Sequence, residues 1–190
     1  DGSPARRAAL RAFGAAWLER LQAVPFDPLG REGRVDWLLL RNELEHGRAE
    51  LDREERRMTE LAPLMPFAGT VFDLDEARRR MDTMDPAASA RTLARLTDDV
   101  QRTRQAVEGG TRADSVAGAI RPTRIAAFRA AAVLGSLRET LQGWFRFYDG
   151  YDPLFSWWAR APYQRADSAL RGYVQVLREK VVGIKPGEED

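Results

Sequence analysis

Apolar residues recur three or four positions apart along most of this chain, which is the spacing of one face of an amphipathic helix. The stripe of the first segment consists of Leu10, Phe13, Trp17, Leu18, Leu21 and Val24. A second stripe at heptad spacing predicts one long helix over about residues 33–61. Later stripes predict helices over about 86–108 and 122–148 and a last helix from Pro162 to about Val182.

Short capping signals mark several predicted helix starts. Ser3-Pro4, Asp85-Pro86 and Asp152-Pro153 each place an N-capping residue before a proline, and proline is well tolerated at the first helical position. Asp152-Pro153 is expected to cap only a short aromatic turn of helix before the helix that Pro162 begins. Asp73 to Glu76 reads as a capping box and predicts a short helix to about Met81.

No segment shows the period-two alternation of a strand. The sequence therefore predicts an all-α fold, an irregular multi-helix bundle of five longer helices plus one or two short ones. We expect a single helical domain over 1–190, with a mobile internal loop at about 109–119 and a linker tail at 185–190. The residues at the centres of the stripes are expected to be buried: Phe13, Trp17, Leu44, Leu51, Leu134, Leu141, Leu170 and Leu177.

Charge and composition exclude several classes of function. The chain has 30 basic and 29 acidic residues, a net charge of +1, so it has no overall field to attract nucleic acid. The apolar runs are too short to span a membrane. The absence of cysteine excludes disulfides and thiolate metal sites. We therefore expect neither a nucleic-acid partner nor a membrane span.

The sequence predicts no catalytic residue and no metal ligand. His46 is the only histidine, and Glu43 to His46 supplies half of a di-iron carboxylate motif that must occur twice. The favoured interpretation is a surface histidine paired with Glu50 one helical turn away. The arginine run 78–80 is an alternative anion site, although the many charges that alternate along these helices are typical of solvated faces.

The segment 144–158 is the richest in aromatic residues, and three interpretations stay open for it. It could form a corner where two helices pack, a face buried by another domain, or the wall of a ligand site. We expect an exposed apolar patch near Trp157 and Trp158. The candidate interdomain or ligand-wall aromatics are Trp144, Tyr148, Tyr151, Phe155, Trp157 and Trp158.

Three segments carry a family resemblance. They are 40–45 (LRNELE), 61–67 (LAPLMPF) and 151–158 (YDPLFSWW), and in this order they resemble the N-terminal half of the bacterial family called domain of unknown function 885. The likeness extends from about Phe13 to Lys185 and covers roughly the first third of a family member. It implies a largely helical, often exported protein similar to zinc-dependent peptidases of the gluzincin type, either periplasmic or extracellular, with a cytoplasmic location also open.

In that family the His-Glu-x-x-His zinc motif lies downstream of the matching region, so the resemblance places no zinc ligand on this chain. Zinc is expected only in the longer family member. The resemblance implies an N-terminal helical scaffold and cleft wall whose partners are the remainder of its own polypeptide and, in the longer protein, a peptide substrate. The alternatives are a free-standing helical module that binds a protein through 144–158 and, more weakly, an enzyme complete in 190 residues.

Overall fold

Six α-helices make up most of the part of the chain that the computed structural model describes, residues 4–112 and 117–184. The helices are α1 Pro4–Gln22, α2 Arg31–Leu61, α3 Ala68–Arg79, α4 Pro86–Gly110, α5 Arg124–Tyr148 and α6 Pro153–Val176. A 3-10 turn, Ala62–Leu64, follows α2, and a π-helical segment, Leu177–Val182, continues α6. No strand occurs in the described residues. The predicted all-α class, with five longer helices and a short one, is confirmed.

The chain divides into two compact units, Asp1–Thr59 and Glu60–Asp190. Leu18 and Leu21 are the only buried apolar residues of the first unit among the described residues. The boundary between the units falls within α2, near its C-terminal end.

The first unit is a hairpin of α1 and the part of α2 before residue 60. Arg11 binds both Asp52, at 2.8 Å, and Glu55, at 2.7 Å. At the other end of the hairpin, the Trp37 indole Nε1 donates to the Leu21 carbonyl at 3.0 Å. These contacts fix the two helices antiparallel.

The burial predicted for this hairpin is wrong at four positions. Phe13 is 60% and Trp17 is 40% exposed, and Leu44 and Leu51 are only half-buried. In a unit of two helices, each helix covers only part of the apolar stripe of the other. Leu18 is buried while Trp17, one position earlier, remains at the surface.

The second unit has the main core. In it α4 and α5 pack on α6, α3 packs on α5, and α5 also contacts the π-helical segment. The predicted core residues Leu134, Leu141, Leu170 and Leu177 are fully buried, which confirms that part of the prediction. Burial of each such side chain contributes about 1.5 to 3 kcal/mol.

Two of the predicted caps are confirmed. The Asp85 carboxylate accepts from the backbone nitrogens of Ala87 and Ala88 at 2.8 and 3.1 Å, and Asp152 caps α6 in the same way. Ser3 lies outside the described residues. The start of α5 has a cap that was not predicted, since the Thr123 hydroxyl accepts from the Ala126 nitrogen at 3.1 Å.

Two predicted helix starts are wrong. α3 begins at Ala68, so Asp73 lies inside the helix rather than at its N-cap. Pro162 also lies inside a helix, because α6 runs unbroken from Pro153 through it. The aromatic turn and the last helix that the sequence suggested are therefore one element.

The ends of α4 and α6 complete the second unit. Gly109 and Gly110 form the last turn of α4, so the predicted loop begins after them, and its central residues 113–116 lie outside the described residues, as does the tail 185–190. The π-helical segment buries both Leu177 and Val182. It ends at Gly183, whose φ of 85° is left-handed, and Arg124 donates to the Val182 carbonyl at 2.7 Å.

Candidate interaction surface

The aromatic segment folds as a corner between α5 and α6. The connection is four residues long, and Gly150 in it has a φ of 86°, a conformation that glycine adopts without strain. One Asp149 carboxylate oxygen accepts from the Ser156 hydroxyl at 2.7 Å and from Arg160 at 3.0 Å. These two hydrogen bonds, first that from Ser156 and then that from Arg160, lower the pKa of Asp149 and keep it ionised.

On the inner side of the corner the aromatic rings form the core. Trp144 and Phe155 are buried and meet edge to face at 5.4 Å between ring centres. Phe145 stacks on Tyr163 at 3.9 Å, and half-buried Tyr148 lies 5.1 Å from Phe155. Such ring pairs add about 0.5 to 1.5 kcal/mol beyond area burial. Trp144 and Phe155 therefore form a packed helix corner and line no exposed wall.

On the outer side the rings are exposed. Tyr151 is 89%, Trp157 73% and Trp158 43% exposed, and Leu154 is also at the surface. The two indoles lie edge to face, 4.9 Å apart. Leu154, Trp157 and Trp158 share one side of α6 because they are three and four residues apart. We call Tyr151, Leu154, Trp157 and Trp158 the aromatic patch; it confirms the predicted exposed apolar surface.

The Asp149–Ser156–Arg160 network is the part of this site that sequence reasoning missed. It bridges the connection and the first two turns of α6, and the Ser156 hydroxyl also accepts from the Gly150 nitrogen at 3.3 Å. Polar residues in a turn carry no periodic signal, so only the Asp152-Pro153 cap pointed to this place. The network holds the base of the aromatic patch in a fixed position.

His46 lies on the exposed surface of α2, as predicted. Its Nε2 is 3.7 Å from the Glu50 carboxylate, one helical turn away. In residues 4–112 and 117–184 no three side chains of the His, Cys, Asp or Glu type come together as metal ligands.

The arginine run on α3 is engaged in ion pairs within its own neighbourhood. Arg78 and Arg79 both bind Asp75, each at 2.8 Å, and Arg80 binds Asp82 at 2.9 Å. The Arg78 guanidinium also lies over the Phe147 ring, 5.3 Å from its centre. These contacts favour a structural role over the anion site that was the alternative.

The described residues contain no helix that is both long enough and apolar enough to cross a membrane. Comparison with known proteins found no matching family model, no matching curated protein and no matching solved structure.

Proposed function

We propose that this chain is the non-catalytic helical scaffold and cleft wall of a longer zinc-peptidase-like protein, and that the remainder of the polypeptide covers the aromatic patch. The observation that carries the proposal is the exposure of Trp157 and Trp158 on α6. Contiguous apolar surface of this kind usually marks an interaction site. The family resemblance of the same segment, 151–158, supports the remainder of the polypeptide as the occupant.

The composition of the patch also supports an interface. Tryptophan and tyrosine are enriched at the centres of protein interfaces, where they contribute a large share of the binding energy. The buried rings beneath the patch and the Asp149 network fix its backbone, so little conformational entropy would be lost on docking. A prepared surface of this kind fits a permanent contact within one polypeptide.

The side chains of this chain are consistent with a catalytic site that lies in another part of such a protein. A peptidase zinc is held by three protein ligands, and the familiar sets use at least two nitrogen or sulfur donors of histidine or cysteine. This chain has one histidine and no cysteine. We propose that the ligands come from a His-Glu-x-x-His helix in the following sequence.

The coding sequence that follows Asp190 tests the family assignment directly. A His-Glu-x-x-His motif within it is the expected result, and its absence would sink the proposal. The isolated chain should show neither stoichiometric zinc binding in a calorimetric titration nor turnover of a broad peptide pool. Tight binding with chelator-sensitive turnover that His46→Ala abolishes would instead indicate an autonomous active site.

The proposed contact can be tested in the longer protein by replacing Trp157 and Trp158 with glutamate. We expect the double variant to lose peptidase activity and become more sensitive to protease, since charge at a buried interface is costly. The same change in the isolated chain should leave its circular dichroism and melting temperature nearly unchanged, because both residues are exposed there. Phe128→Glu, at a 42% exposed position of α5, is the matched control.

The alternative function, a free-standing protein-binding module, rests on the same exposed indoles. Acrylamide quenching of tryptophan fluorescence distinguishes the two. Quenching that falls when the longer polypeptide is present supports the scaffold, whereas full access to Trp157 and Trp158 in the longer protein would favour the module.

A further inference from the structure

A groove in the second unit lies between the start of α3 and the last turns of α4, and it uses none of the residues of the aromatic patch. Its volume is about 460 Å³, within the usual range for small-ligand sites. Apolar lining is provided by Phe67, Ala106 and Ile120, and polar groups by Asp99, Arg102 and Thr103.

One wall of the groove is held in place by the backbone. The Ile120 nitrogen donates to the Ala106 carbonyl at 3.0 Å, which fixes the returning chain against the last turn of α4. This return needs glycine at position 110, because a Cβ there would lie 2.1 Å from the Ile120 carbonyl oxygen. The groove is therefore built by specific contacts rather than by loose packing.

The polar side of the groove has both a donor and an acceptor. The Arg102 guanidinium pairs with one oxygen of the Asp99 carboxylate, and the pair carries no net charge. A guanidinium has five N–H donors and a carboxylate has two oxygens, so each partner keeps hydrogen-bonding capacity for a ligand. The Thr103 hydroxyl is directed to the Asp99 carbonyl, at 2.9 Å.

We propose that this groove binds a short uncharged peptide segment with one apolar side chain. The side chain lies against Ala106 and Ile120, which line the groove and are partly exposed, while the amide carbonyl accepts from Arg102 and the amide N–H donates to Asp99. An amide matches this neutral pair because it presents one acceptor and one donor. A free carboxylate matches it less well, since it must compete with Asp99 for Arg102 and is repelled by that carboxylate.

The probe for this site is N-acetyl-L-leucinamide, titrated into the ¹⁵N-labelled chain and followed by amide chemical shifts. Shifts should concentrate at Phe67, Thr103 and Ile120, with a dissociation constant on the order of millimolar for so small a ligand. Isovalerate, which has the same branched apolar group and a carboxylate instead of the amides, should bind at least about fivefold more weakly. Tighter binding of isovalerate would overturn the amide assignment.

Two variants test the location. Ala106→Trp fills the groove and should abolish the shifts. The combined Asp99→Ala and Arg102→Ala variant removes both the acceptor and the donor and should weaken binding several-fold; it needs no new tryptophan in the fold. The matched control combines Arg95→Ala with Asp98→Ala at exposed positions of the same helix and should bind as the parent does. No shifts at tens of millimolar, unchanged shifts in both groove variants, or shifts centred on Trp157 and Trp158 would each contradict the proposal.

This test is independent of the proposed scaffold function. Binding of the amide to the isolated chain would establish the groove even if the following sequence had no zinc motif. Conversely, a zinc motif in that sequence would leave the scaffold proposal standing if the groove bound nothing.

Discussion

Tyr173 is a polar residue at the centre of the second unit. Its ring is fully buried, burial raises the pKa of its hydroxyl, and the hydroxyl donates to the Leu64 carbonyl at 2.9 Å. This bond ties α6 to the 3-10 turn after α2. Tyr173→Phe removes the donor and leaves a buried carbonyl without it, so we expect a loss of about 1 to 3 kcal/mol in the free energy of unfolding.

Urea denaturation of the Tyr173→Phe variant measures this loss. The matched control is Tyr163→Phe, because the Tyr163 ring is half-buried and stacks on Phe145, a contact that phenylalanine retains. The control should change stability by less than about 0.5 kcal/mol. Equal losses in the two variants would contradict a specific role for the Tyr173 hydrogen bond.

Asp75 shows how a buried charge is stabilised by its neighbours. Burial by itself would raise the pKa of this carboxyl, but hydrogen bonds from Arg78 and Arg79 outweigh that effect and lower the pKa. Because the folded pKa lies below the unfolded value of about 3.9, the contribution to stability is fully present above that pH. It is lost as the pH falls through the folded pKa.

Asp75→Asn should therefore cost about 1.5 to 3 kcal/mol at pH 7, the range for hydrogen bonds to charged groups, and less at pH 3. Urea midpoints at pH 7, 5 and 3 give the comparison. Asp73→Asn, at an exposed position of the same helix, should change stability little at any pH. A cost for Asp75→Asn that stays constant from pH 7 to pH 3 would rule out the ionic account.

At the scale of the element, α6 contains Pro162, a proline that the sequence pattern predicted at the start of a helix. Pro162 lies nine residues after Pro153, inside a helix that continues to Val176. Proline has no N–H to donate to the carbonyl of Trp158, and it costs a helix interior about 3 kcal/mol relative to alanine. The burial of Phe155, Ala159, Ala166 and Leu170 on one face offsets that cost.

Pro162→Ala should raise the free energy of unfolding by about 1 to 2 kcal/mol, because the helix gains a hydrogen bond while the unfolded chain gains about 1 kcal/mol of conformational freedom. Thermal unfolding measures the change. Pro86→Ala is the control, since proline at the first position of α4 removes no helical hydrogen bond. A lower melting temperature for Pro162→Ala would show that α6 requires its proline.

The positions of the helices could be predicted from sequence far better than the contacts that each helix makes. Asp85 and Asp152 correctly predicted the starts of α4 and α6, because a capping side chain and a proline act locally. The start of α3 could not be found, since Phe67 precedes it without a side-chain cap. Pro162 wrongly predicted a helix start, because the burial of the residues around it outweighs the low helix propensity of proline.

The same limit applies to burial and to the site. The apolar stripe of Leu134 and Leu141 meets a partner helix and is buried, whereas Phe13 and Trp17 belong to an equally regular stripe and are exposed. Periodicity shows that a helix has an apolar face, but it does not show whether anything covers that face. For the aromatic segment, sequence could identify the cluster but could not separate buried Trp144 from exposed Trp157.

At the scale of the molecule, the two units differ sharply in the apolar surface that they bury. Apart from Leu18 and Leu21, every buried apolar side chain of the described residues belongs to Glu60–Asp190. The first unit has two helices and exposes Leu10, Phe13, Trp17, Val24, Val35, Leu38, Leu39 and Leu40. Two helices with so few buried residues are marginal in water.

We therefore expect residues 60–190, produced alone, to fold cooperatively with the helix content and near-ultraviolet circular dichroism of their part of the chain. Residues 1–59 produced alone should be only partly helical and should unfold without a sharp transition. Circular dichroism of the two fragments during heating makes the comparison. A 60–190 fragment that binds a hydrophobic dye and lacks a near-ultraviolet signal would show that the core depends on the first unit.

The π-helical segment Leu177–Val182 has a consequence for how this protein can change its length. In a π-helix each backbone hydrogen bond joins residues five apart rather than the four of an α-helix. The segment is therefore equivalent to an α-helix with one inserted residue. Leu177 and Val182 are both buried although they are five residues apart, whereas in an α-helix the same face returns after four. Loss of one residue between them would restore α-helical spacing and keep both side chains inward, which makes this segment the place where α6 can best accommodate a deletion.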